Sequence, residues 1–68
     1  MINTSELKLI IFKKNLSQSS VAKSIGITPK TFYAKMSKGV FNSDEIEKMI
    51  SLLDIKNPIE VFFANKVT

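Results

Sequence analysis

The sequence predicts an all-α fold of five short helices in one compact domain spanning residues 1–68, in which the second and third helices form a helix–turn–helix. Three observations carry the fold class. Apolar residues recur at three- and four-residue spacing, the helical period, and no alternating run is long enough for a strand. Capping residues and breakers divide the chain at helix-length intervals. The composition is 44% hydrophobic with no Cys and no His, so a small core must hold by packing or self-association, without a disulfide or a Cys/His zinc site.

The first segment covers about residues 4–14. Asn3-Thr4-Ser5-Glu6 supplies an N-cap followed three residues later by Glu, and Leu7, Ile10 and Ile11 share a face before Asn15. Leu9, Ile10, Ile11 and Phe12 in succession exceed one buried stripe, so Leu9 or Phe12 is expected at the surface. Ser17 caps a second segment, in which Val21, Ala22 and Ile25 point one way. Gly26 stops it, because glycine adopts the left-handed conformation that reverses the chain without steric cost. Ile27 is expected in the core. Thr28-Pro29 then provides a cap and a first-turn proline for a third segment, which Lys38-Gly39 closes.

Asn42-Ser43-Asp44-Glu45 opens a fourth segment with acids suited to the positive end of the helix dipole, and Ile46, Met49, Ile50 and Leu53 follow at i, i+3, i+4 and i+7. Asn57-Pro58-Ile59-Glu60 repeats the pattern for a fifth, with Ile59, Phe62 and Phe63 expected to face the core. Val61 and Val67 are apolar beyond what so small a core needs. With Phe12 they are candidates for a partner or dimer surface.

Charge is uneven. The chain has ten Lys, no Arg and six acids, a formal +4. Residues 1–41 hold seven Lys against Glu6 alone, whereas residues 42–68 hold three Lys against five acids. The first part suits a polyanion and the second does not. Without His or Cys, and with carboxylates expected at helix starts and on exposed faces, catalysis is not expected. No apolar run approaches a membrane span and the N-terminus lacks a signal-type segment, so the expectation is a cytoplasmic protein with no membrane association.

The second and third segments form a candidate helix–turn–helix: a short helix, a Gly-centred turn, and a second capped helix. Ala22 is small where two steeply crossing helices need it to be, and Val21, Ile25, Ile27, Phe32 and Met36 are the residues such a unit buries. With Phe32 and Met36 inward, Lys30, Tyr33, Ala34 and Ser37 form a mixed polar stripe outward. Such a face suits a helix in the DNA major groove. There Lys30 can donate to guanine, Thr31 and Ser37 can bond bases or phosphates, and Ala34 or Tyr33 can meet a thymine methyl.

From Gln18 through Met36 the sequence resembles the helix–turn–helix of lambda-repressor-like regulators, the Cro/CI/Xre group of phage and bacterial proteins. Leu16-Ser17-Gln18 before it, with Asp44-Glu45-Ile46 and Pro58-Ile59-Glu60-Val61-Phe62-Phe63 after it, matches the five-helix layout in order and length. The resemblance implies a phage or prophage repressor that binds a double-stranded DNA operator and uses no cofactor, metal or small-molecule ligand. It implies that Gln18 touches a phosphate and braces the recognition helix, and that Lys30, Thr31, Tyr33, Ala34 and Ser37 read bases. Thr28 would be cap and phosphate contact at once, and Lys35, Lys38 and Asn42 would border the backbone.

Two features depart from the family pattern. No Arg is available for bidentate contact with guanine, and Pro29 takes a position where relatives place a polar reader. A homodimer would let two recognition helices read half-sites one turn apart. A chain of this length has no room for a separate effector domain, so control is expected from concentration, competition or a partner protein. The alternative reading is a modulator or antirepressor of the same fold that grips a partner repressor protein instead of DNA.

Overall fold

The computed structural model describes residues 2–62, which form five helices: α1 (Thr4–Lys13), α2 (Gln18–Ser24), α3 (Pro29–Lys38), α4 (Ser43–Leu53) and α5 (Pro58–Phe62). No strand occurs among the described residues, and no helix there is long and apolar enough to cross a membrane. Side chains start the first four helices. Asn3 Oδ1 accepts from the Glu6 N–H at 3.1 Å. Thr28 Oγ1 accepts from the Thr31 N–H at 3.1 Å. Ser17 and Ser20 exchange side-chain-to-backbone bonds at 3.0 Å each way, a capping box in which serine stands where Glu or Gln is usual. Asn42 and Glu45 form a second box. Each such cap is worth about 1 kcal/mol.

One device ends the same four helices. Asn15, Gly26, Gly39 and Asp54 have φ of 61°, 89°, 72° and 52°. Their N–H groups donate three residues back, to Phe12, Lys23, Met36 and Ser51. The next N–H, from Leu16, Ile27, Val40 or Ile55, donates five residues back, to Ile11, Ala22, Lys35 or Ile50. This is the Schellman pattern, and it satisfies carbonyls that the helix end would otherwise strand. An apolar residue follows each reversal, the usual companion of the motif.

The core gathers on Leu7, Val21, Ala22, Phe32, Met49 and Leu53, all fully buried. Phe41 packs edge-on against Phe32 with ring centroids 5.3 Å apart. Helices α2 and α3 make the most extensive helix–helix contact, over the buried Ala22. Ile2 is buried as well. Its N–H donates to the Gly39 carbonyl at 3.0 Å, and the Asn3 N–H donates to the Val61 carbonyl at 2.7 Å, tying the chain start to the ends of α3 and α5.

Two expectations need correction. Ile59 is 69% exposed instead of facing the core, because α5 centres its inner face on Val61, and Ile59 two residues earlier turns outward. Val61 is only 2% exposed, so it is core and not a partner surface; α5, which carries it, packs on α1. Glu45, the acid expected at the start of α4, closes the capping box there and is 6% exposed. Leu9 and Phe12 are both exposed, Phe12 at 76%. Phe63 and Val67 lie outside the described residues.

A Cβ built on Gly26 would meet nothing within 4 Å, so only the backbone conformation calls for glycine there. Gly26→Ala is therefore expected to cost about 1–2 kcal/mol, the penalty of a left-handed L-residue, and Gly26→Asn clearly less. Urea or thermal unfolding of the three proteins checks the order.

Candidate nucleic-acid interface

Because Phe32 and Met36 anchor α3 to the core, the opposite side of that helix is fixed toward solvent. Lys30, Thr31, Tyr33, Ala34, Ser37 and Lys38 are all exposed. The Thr28 hydroxyl, besides capping, donates to Thr31 Oγ1 at 2.9 Å, which leaves the Thr31 hydroxyl proton free to be given outward. No acid lies between Ser17 and Phe41, while Lys23, Lys30, Lys35 and Lys38 do, so the α2–turn–α3 unit is basic in its own right.

On one flank of α3 the fold brings Gln18 at the start of α2 beside Tyr33 and Ser37. With Met36 and Lys8 they line a shallow depression of about 370 Å³. An ammonium, a carboxamide and two hydroxyls thus surround one concavity that no carboxylate lines. Such a donor set is suited to an oxyanion. Sequence reasoning missed Lys8. Its charge placed it in the basic half, but nothing in the sequence of α1 says which face meets the α2–α3 unit.

On the other flank the predicted backbone-bordering residues are differently engaged. Lys35 Nζ donates to both oxygens of Glu45, at 2.7 and 2.6 Å, and the Asn42 N–H donates to Glu45 Oε1 at 3.0 Å. Asn42 Oδ1 accepts in turn from the Glu45 N–H at 2.8 Å. Burial pushes the Glu45 carboxyl up. The hydrogen bonds from Lys35 and Asn42, helped by the charges of Lys35 and Lys48, outweigh it and hold the group below the ordinary glutamate value. Lys35 therefore joins α3 to α4, the Asn42 side chain is taken up in capping α4, and Lys38 remains an exposed cation at that end of the outer face of α3.

A second depression, about 240 Å³, lies between α1 and the α4–α5 connection. Its rim sets Lys13, Lys14 and Lys56 against Glu6, Asp54 and Glu60, and such a balance favours neither sign of ligand. Of the candidate partner residues only Phe12 stands on the described surface. Comparison of the chain with protein-family models, with curated proteins and with solved structures finds no match in any of the three.

Since the folded carboxyl of Glu45 titrates below its unfolded value, its contribution to stability is fully present above the ordinary glutamate range, near about 4.3, and is lost as pH falls through the lower folded value. Unfolding free energy should thus decline on acidification below that range, and Glu45→Gln should flatten the decline. Glu45→Ala, which also removes the capping acceptor, is expected to cost about 2 kcal/mol at neutral pH, measured by urea titration.

Proposed function

We propose that the protein is a sequence-specific regulator of the lambda-repressor-like kind, a small phage or prophage repressor acting in the cytoplasm, that sets α3 in the major groove of double-stranded DNA. The observation that supports this most is the polar, exposed outer face of α3 on an acid-free basic unit, flanked by the donors of Lys8 and Gln18. In this reading Lys30, Thr31 and Ala34 meet base edges, which carry the sequence information. Lys8, Gln18, Thr28 and Lys38 meet phosphates, which fix register. Tyr33 and Ser37 stand between the two sets. With Lys as the only cation, each charged contact is a point charge without the fixed fork of Arg, so specificity rests on several modest contacts.

A second reading, binding of a partner repressor protein, is favoured by the apolar surface that Leu9 and Phe12 leave on α1. The same surface serves a homodimer on a two-fold operator. The two uses differ in whether DNA is bound at all.

Selection of bound sequences from a random double-stranded pool tests the DNA reading, with recovery of a defined, two-fold motif expected; enrichment of nothing would sink it. Lys30→Ala should relax preference at one position by about 1–3 kcal/mol, whereas Lys38→Ala should weaken all sequences alike and reduce the salt slope by about one unit. Phe12→Ser should leave stability within about 0.5 kcal/mol, as for exposed positions generally. If Phe12 belongs to a dimer contact, the same change shifts sedimentation toward monomer.

A further inference from the structure

We infer that Glu45 is a positioning residue for DNA binding: it holds Lys35 against the start of α4, keeps that cation off the DNA backbone, and so lowers affinity for DNA of every sequence alike. The inference rests on the DNA-binding reading above.

Lys35 follows Thr31 by one helical turn and precedes Lys38 by three residues, so it sits on the flank of the exposed face of α3. A lysine there, if unpaired, is within a side chain's reach of whatever polyanion Lys38 meets. Its ammonium is instead bound by both oxygens of a carboxylate that is 6% exposed, and the Lys35 side chain is itself less than a third exposed. The carboxylate cannot follow a departing lysine, because the Asn42 N–H holds Oε1 and Glu45 sits in the first turn of α4, with its own N–H capped by Asn42.

Moving Lys35 to a phosphate would therefore exchange a short, partly desolvated pair for a solvent-screened one and leave a buried charge short of its partner. Breaking such a pair costs more than a single exposed ion pair returns. Lys35 consequently releases no counterion on binding, and the chain forgoes about 0.9 of salt slope that this position would otherwise add. The loss falls on all DNA sequences alike and base contacts from Lys30 and Thr31 are untouched, so overall affinity falls while the ratio of specific to non-specific affinity is unchanged.

The test is the affinity of wild type, Glu45→Gln, Lys35→Gln and the double variant for random-sequence double-stranded DNA across a salt series. Circular dichroism melts establish which variants are folded at the assay temperature. Glutamine keeps an acceptor for the Asn42 N–H, so Glu45→Gln removes the charge and not the cap. Expected are a wild-type slope for Lys35→Gln, a slope steeper by about 0.9 with a few-fold gain in low-salt affinity for Glu45→Gln, and return to the wild-type slope in the double variant.

A merely structural role for Glu45 would move the melting temperature and not the slope, and an unchanged slope in folded Glu45→Gln overturns the inference. So does a slope shallower by about 0.9 in Lys35→Gln, since Lys35 would then already lie on the backbone. If both single variants melt, the double variant decides: a wild-type slope supports the inference and a shallower one overturns it. Absence of salt-dependent binding by wild type itself would instead bring down the DNA-binding reading, and this inference with it.

Discussion

None of the five helices persists on its own account. Their lengths of 5 to 11 residues fall below the roughly 12–15 at which even favourable isolated helices become marginal in water. What makes them helices is mutual burial, and Phe32 is its centre: fully enclosed, edge-on to Phe41, and carried by the helix whose other side faces solvent. The side chain that completes the core thus also orients the candidate interface. Phe32 and Met36 fix the rotation of α3, and that rotation decides that Lys30, Ala34 and Ser37 look outward.

Short helices also have to be turned against each other at defined angles. Four reversals at positive φ do this, each within one residue and each closed by the same pair of backbone bonds. The reversal at Gly26 matters most to function. It turns α2 against α3 with Ala22 fully buried and delivers the chain to the Thr28 cap two residues later, so turn and helix start are set within a few residues. Lys35 and Glu45 continue the same logic at the far end of α3, where an ion pair with a capping box joins helix to helix.

Much of this was legible in the sequence, for reasons that are local. Caps at Asn3, Ser17, Thr28 and Asn42, stops at Gly26 and Gly39, and the inward set Val21, Ala22, Ile25, Phe32 and Met36 each follow from residue type and spacing within one turn. Asn15 and Asp54 do the work of glycine without announcing it. The cue is an Asn or Asp after a helical stripe with an aliphatic residue next, as in Asn15-Leu16 and Asp54-Ile55. Ile2, Phe41 and Ile55 are core residues in connections, where no helical period exists to reveal them. The direction of Ile59 and Val61 depends on how a five-residue helix sits on α1, which spacing alone does not determine. The same holds at the site. The outward stripe of α3 could be read, whereas the engagement of Lys35 and the approach of Lys8 to Gln18 depend on the packing of α4 and α1 against α3 and α2.

The bonds from Ile2 and Asn3 also have a kinetic side. Most of the structure is made of contacts between neighbours in the chain, which close early because they enclose little loop. The pairing of Asn3 with Val61 is the opposite case: it joins the first helix to the last, across almost the full length of the described chain. During synthesis the α2–α3 unit can form as soon as it is free and Ile2 can then bond Gly39, but the Asn3 N–H has no partner until α5 has emerged. Of the backbone bonds that tie the chain start down, the one to Val61 thus closes the longest loop and carries the largest entropic cost of closure.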